Sequence, residues 1–173
     1  MLLDDLIESK AVSFGDFTLT SGKKSKYYVN IKKASSDPGI LRSITEKFSG
    51  FGIAADKVAG VELGAVPLIV AYSLKKDIPF VIIRKSGRHH GTRSRFEGDI
   101  NPGEKILILE DVITSGGSVI SAIDAVEEAG AEVIKVLAVV DREEGGTDPV
   151  NKRVSMNALV TARDLLIRSE NCS

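Results

Sequence analysis

Four short apolar runs, at 57–61, 79–83, 105–109 and 133–140, recur through the chain, with helical spacing between them at 65–76 and 117–129. No other feature constrains the fold as strongly. Strand, helix, strand, helix in succession requires right-handed crossovers and produces a mostly parallel sheet. The run Ile106-Leu107-Ile108-Leu109 has no polar face, so helices are expected to cover the sheet on both sides. The 173 residues suit a single α/β domain spanning 1–173 with a core of its own.

Ahead of this rhythm the pattern differs. Leu2, Leu3, Leu6 and Ile7 recur at helical spacing within residues 1–11, which predicts an amphipathic helix. Residues 14–33 alternate loosely around Ser21-Gly22 and predict a hairpin. Asp37-Pro38-Gly39 predicts a helix start, with Ile40, Leu41, Ile44 and Phe48 facing inward. Gly50-Phe51-Gly52-Ile53-Ala54-Ala55 formally fits a dinucleotide fingerprint, but it follows a helix rather than a strand, so it reads as a helix-ending turn. Residues 84–104 hold too little apolar content for a core element and predict a long loop of the kind that serves as a lid or binding loop.

Charge and cysteine content narrow the function. The net charge is −1, so nothing global draws the chain to nucleic acid or to an anionic membrane, and any anion site must come from local clustering. The single cysteine, Cys172, cannot close an internal disulfide. The first residues carry acids where a secretory leader carries Lys or Arg. No apolar run approaches the ~20 residues of a membrane span. The expected setting is the cytoplasm. Asn171-Cys172-Ser173 matches a glycosylation acceptor and is set aside as a chance match.

The most informative segment runs from Ile106 to Ser118: a buried strand, the acid pair Glu110-Asp111, then Val112-Ile113-Thr114-Ser115-Gly116-Gly117-Ser118 opening a helix. Ligands of open α/β sheets sit at the carboxyl ends of the strands. A small-residue turn there lets backbone N–H groups approach a phosphate, and the following helix adds free donors and its positive dipole end. Carboxylates repel phosphate unless they face something else; ribose hydroxyls and a magnesium ion are their natural partners. The plainer alternative is a Ser or Thr helix cap. No Lys follows the glycines, so this is not a Walker A loop.

Two further clusters bear on an anionic ligand. The loop Arg84-Lys85-Ser86-Gly87-Arg88-His89-His90-Gly91-Thr92-Arg93-Ser94-Arg95-Phe96-Glu97-Gly98 concentrates positive charge in a near-neutral chain. Closing such a loop over a polyanion excludes water and strengthens each contact; the alternative is a solvated basic loop, free or touching RNA. Arg142 follows the apolar run 133–140 and so lies at a strand's carboxyl end. Its planar fork suits a carboxylate; the alternative is a surface ion pair with Glu143 or Glu144.

With these residues in view, Ile106–Ser118 resembles the signature of the type I phosphoribosyltransferases, which bind 5-phosphoribosyl 1-diphosphate. The order of the other segments resembles the orotate-using branch over nearly the whole chain. That second likeness rests on the string from Phe17 to Tyr28, on Arg84–Gly98, and on Asp141-Arg142-Glu143-Glu144-Gly145-Gly146. The resemblance implies a mostly parallel sheet flanked by helices, an N-terminal hood over 1–35 and a mobile lid over 84–98. It implies transfer of ribose 5-phosphate to orotate, giving orotidine 5′-phosphate and diphosphate in the synthesis of UMP. By the same resemblance the lid residues Arg84, Lys85, Arg88 and His90 and the segment Glu110–Ser118 hold the phosphoribosyl diphosphate, with Glu110, Asp111, Lys85, Arg88 and His90 at the chemistry. Arg142, Thr114 and Tyr28 contact orotate. Magnesium is carried mainly by the substrate diphosphate rather than by a protein cage, and the enzyme is a homodimer that shares lid residues across its interface.

Several positions depart from the pattern. Thr20 stands where many members carry Lys, Arg88 where many carry Lys, and His89 where many carry an acid; Val61-Glu62-Leu63-Gly64-Ala65-Val66-Pro67 lacks a Lys that some relatives have. Transfer to a purine or another base, and a ligand-sensing RNA-binding regulator on the same fold, are the remaining alternatives.

Overall fold

The computed structural model describes residues 2–18, 22, 24–85 and 95–170. Helix α1 (Leu2–Glu8) leads into the hairpin β1 (Val12–Thr18) and β2 (Lys24–Val29), then α2 (Ile31–Ala34) and α3 (Pro38–Ser49). The body follows as β3 (Lys57–Val61), α4 (Val66–Lys76), β4 (Phe80–Ile83), β5 (Phe96–Glu97), β6 (Lys105–Ile113) and α5 (Gly117–Glu128). It closes with β7 (Glu132–Asp141), α6 (Thr147–Asn151), β8 (Met156–Thr161) and α7 (Ala162–Glu170).

Six strands form one sheet in the order β5-β4-β3-β6-β7-β8. All neighbours are parallel except the β4–β5 pair. Alternate residues of β6 point to opposite layers, as a period of two requires. Leu107 and Leu109 join the layer that holds α1, α3, α4 and α7, while Ile106 and Ile108 join α5 and α6. All four are fully buried, so the apolar run is covered on both sides as its composition demands.

From β3 the chain moves outward to β4, then crosses back to β6 and proceeds the other way to β8. The direction reverses between β3 and β6, and the loops leaving their carboxyl ends diverge there to open a crevice. This reversal decides where a ligand can sit.

Several elements differ from expectation. The second hairpin strand stops at Val29 rather than near residue 33, because the Asn30 side chain caps the short helix α2 by accepting from Lys33 N at 3.3 Å. The loop 84–104 contains the two-residue strand β5, whose Phe96 packs against the core with Ile100. Strand β6 runs on to Ile113, so the acid pair lies inside the strand end instead of after it. Elements α6, β8 and α7 were not anticipated. The helix start at Asp37 is as expected: its carboxylate accepts from Gly39 N at 2.8 Å and Ile40 N at 3.0 Å, with Pro38 opening the first turn.

Candidate active site

The turn after β6 is built for close backbone approach. Gly116 adopts φ 78° and ψ −2°, a left-handed conformation that glycine accepts without strain. It stands at the N-cap of α5, and no side chain caps that helix. The N-cap is glycine rather than Ser or Thr, and among the described residues no side chain accepts from the first N–H groups of the twelve-residue helix. Behind it lies the loop that follows β7. A Cβ on Gly146 would fall 2.3 Å from Thr114 O and 2.6 Å from Gly116 N. The second glycine of the 145–146 pair thus lets one backbone press directly on the other.

The acid pair forms the floor of the crevice. Glu110 is 6% exposed and its Oε1 accepts from Asp111 N at 3.0 Å. Asp111 Oδ1 accepts from Val112 N at 2.9 Å. Burial raises the Glu110 carboxyl well above the usual carboxylate range, the Asp111 carboxylate raises it further, and Lys85 offsets part of this. Gly64, in the turn after β3, faces Asp111 so closely that a Cβ there would lie 1.9 Å from Oδ2.

Between these walls is a cavity of about 270 Å³, bordered by Lys32, Glu62, Leu63, Lys85, Asp111 and Ser118. A second hollow of about 280 Å³ lies beside it, bordered by Arg84, Lys85, Arg95, Ser118 and Ser121. Lys85 belongs to both, and its backbone N–H donates to Glu62 Oε1 at 3.1 Å. Lys32 enters from α2, whose Ile31 is buried in the core.

The lid's first residues are described and its centre is not. The Arg84 side chain pairs with Glu97 across β4 and β5, and its backbone N–H donates to Arg95 O at 2.8 Å. Arg95 Nη2 donates to Ser121 Oγ at 3.0 Å, tying the far end of the lid to α5. Arg88, His89 and His90 lie outside the described residues, as does Thr20.

Arg142 sits beside the end of β6, its backbone N–H donating to Ile113 O at 3.0 Å. Its side chain is 10% exposed and its Nε lies 3.0 Å from Glu144 Oε1. Nη2 donates to Ser25 Oγ at 3.3 Å, and the guanidinium stands 5.1 Å from the centre of the Tyr27 ring. The ion pair with Glu144 that was one reading of Arg142 is present, and the side chain is nonetheless well buried rather than on the surface. These groups line a cavity of about 590 Å³ between β2 and α7.

Tyr28 is placed differently. Neighbouring strand residues face opposite ways, so Tyr28 is 45% exposed and rests against Phe17, with ring centres 5.8 Å apart. Tyr27, Ser25, Lys32, Gly64 and Gly146 were not singled out from the sequence. For Tyr27 the alternation of β2 carried the signal, since it shares a face with Ser25. For the glycines no local signal exists, because their role is a close approach from a distant loop.

Residues 37–163 match the family described as phosphoribosyl transferase domain. The chain belongs to that family. It is 53% identical over 147 residues to an orotate phosphoribosyltransferase of Thermoplasma acidophilum, covering 85% of each chain. It is 50% identical over 166 residues to an orotate phosphoribosyltransferase of Thermoplasma volcanium, covering 95% of this chain and 99% of that one. Among solved structures, orotate phosphoribosyltransferase from Aeropyrum pernix superposes with a TM-score of 0.89 at 27% identity over 98% of each chain. The family match takes in β3 to β8 with the acid pair and the phosphate turn, and the relatives extend the likeness into the N-terminal hairpin.

Proposed function

We propose that the chain is an orotate phosphoribosyltransferase, moving ribose 5-phosphate from 5-phosphoribosyl 1-diphosphate to orotate. One observation carries this reading. The acid pair and an uncapped helix start meet at the point where the sheet reverses direction, which supplies hydroxyl acceptors and phosphate donors side by side. Relatives named for orotate transfer cover most of the chain at about half identity.

In this reading the turn Thr114–Ser118 and the start of α5 grip the 5′-phosphate. Glu110 and Asp111 hold the ribose hydroxyls and lie beside the developing sugar cation. The bond from C1′ to the diphosphate oxygen breaks and its electrons leave with diphosphate, while N1 of orotate bonds to C1′ and the proton it carried passes to the leaving diphosphate. Lys85, Arg88 and His90 balance the charge that collects on the leaving group. Arg84 joins them only by releasing Glu97. Arg142 and Thr114 hold the base; Tyr28, on the opposite face of β2 from Tyr27, does not line the Arg142 cavity.

Among the described residues no group of three His, Cys, Asp or Glu could cage a metal. A magnesium ion carried mainly by the substrate diphosphate would find carboxylate oxygen nearby at Asp111. When bound it supplies positive charge to the diphosphate. The homodimer with Arg84, Arg88 and His90 crossing to the neighbour's site, the cytoplasmic setting and the place in UMP synthesis rest on the family resemblance.

The acid pair gives the direct test. Asp111→Asn is expected to lower kcat by roughly tenfold or more, because charge next to the forming sugar cation is lost. The unfolding temperature is expected to stay near that of the parent. A variant with full turnover removes Asp111 from the chemistry.

A further inference from the structure

Arg142 is held from three sides before any ligand arrives. Glu144 Oε1 lies 3.0 Å from Nε, in ionic contact rather than as an aligned hydrogen bond, since the buried Nε hydrogen is not directed at it. Ser25 Oγ accepts from Nη2 at 3.3 Å and donates its own hydrogen to Tyr27 O at 2.7 Å. The Tyr27 ring lies beneath the guanidinium plane at 5.1 Å. A guanidinium has five N–H donors; among the described residues only one Nη2 donor finds a hydrogen-bond acceptor, leaving Nε, both Nη1 donors and the second Nη2 donor open. A carboxylate bonds such a fork through two parallel contacts.

The partners come from separate elements. Ser25 and Tyr27 belong to β2, while Glu144 belongs to the loop after β7. Glu144 is 28% exposed on its side chain, against 10% for Arg142, so the buried cation keeps a counter-charge on its Nε side. Long side chains lose freedom when they bind; one fixed in advance loses less.

We infer that Glu144, Ser25 and the Tyr27 ring are positioning residues, which lock Arg142 with its Nη edge toward the carboxylate of the base and so set the enzyme's preference for a carboxylated pyrimidine. The inference rests on the proposed function. It requires the ring of Tyr27 and not its hydroxyl, and it gives Glu144 an orienting rather than a competing role.

The test is steady-state kinetics on the full-length enzyme with Glu144→Gln, Ser25→Ala, Tyr27→Leu, Tyr27→Phe and Arg142→Ala, each with its unfolding temperature. Glu144→Gln and Tyr27→Leu are expected to raise the KM for orotate by about tenfold, the scale of one partly buried cation–π or ionic contact. Ser25→Ala is expected to raise it less. The KM for phosphoribosyl diphosphate and the kcat at saturating orotate are expected to stay within about twofold. Tyr27→Phe is expected to match the parent. A merely structural role would move both KM values together, or follow loss of unfolding temperature. Unchanged orotate KM in both Glu144→Gln and Tyr27→Leu overturns the inference. A lower orotate KM in Glu144→Gln also overturns it, by marking Glu144 as a competitor. Arg142→Ala separates this from the underlying reading. If it leaves orotate KM unchanged, the base assignment itself fails; if it raises that KM while the positioning variants do not, only the positioning role fails.

Discussion

Gly146→Ala tests how the phosphate turn is held. Gly146 has φ −74° and ψ −24°, values any residue accepts, so the substitution brings no backbone strain of its own. The difficulty is space. The new Cβ would meet Thr114 O at 2.3 Å, Gly116 N at 2.6 Å and Ser115 C at 2.7 Å. Ordinary contact begins at 3.4 Å, and all three atoms are backbone, so no side chain can swing aside. The two loops must part by about 1 Å, a displacement that can cost roughly 10²-fold in rate at a reacting centre. Overpacking of this kind costs about 1–3 kcal/mol, and each kcal/mol lowers the melting temperature of a domain this size by about 2–4 °C. Initial rates at varied phosphoribosyl diphosphate, with a melting curve, measure both effects. Gly145→Ala is the control. It has φ 90° but nothing within 4 Å of its Cβ, so it is expected to lose some stability while keeping its rate. Gly146→Ala with kcat/KM within about threefold of the parent and an unchanged melting temperature would refute the claim that this contact sets the turn.

Glu110→Gln is expected to be more stable than the parent at neutral pH. The folded state holds a proton on Glu110 above the usual glutamate value of 4.5, so the parent loses stability as pH rises past that value while the variant does not. Melting curves of the unliganded proteins from pH 4 to 8 check the sign, and a gap that does not widen as pH rises contradicts it. Arg142→Ala is expected to weaken orotate binding by about 2–5 kcal/mol and to leave phosphoribosyl diphosphate near its parent affinity; equal losses, measured by titration calorimetry, would point to a structural role. In the proposed homodimer, subunit exchange between Asp111→Asn and Arg88→Ala variants is expected to bring activity to about a quarter of the parent's, since half the dimers are mixed and each has one sound site. Activity that stays at the level of the two starting variants, with exchange confirmed by mass, rules out a shared lid.

Much of this architecture was legible because it is periodic. The strands β3, β4, β6 and β7 announce themselves as apolar runs, and the Asp37-Pro38 start of α3 carries its own capping chemistry. The acid pair and the Thr-Ser-Gly-Gly-Ser turn stood out because the proposed phosphate and ribose contacts call for those residue types in that order. What escaped was set by packing across the chain. Strand β8 is only half buried, with Met156 and Val160 its two buried residues, so its alternation is weak. Residues 147–151 form a helix too short to show a period. The demand for glycine at 64 and 146 arises from Asp111 and from Thr114–Gly116, which are distant in sequence. Tyr28 and Tyr27 look alike as residue types; only the pairing of β2, with Tyr28 opposite Ser13 and Tyr27 opposite Phe14, and the fold around it put Tyr27 under Arg142.

Base selection tests the account most directly. The purified protein would be given 5-phosphoribosyl 1-diphosphate and magnesium, with orotate, uracil, adenine and hypoxanthine in parallel reactions, and nucleotide and diphosphate would be quantified together. The expected result is orotidine 5′-phosphate and diphosphate in equal amounts from orotate, with the other bases far slower, because only orotate brings a carboxylate to Arg142. Faster turnover of a purine or of uracil, or no transfer to any base, would contradict the assignment.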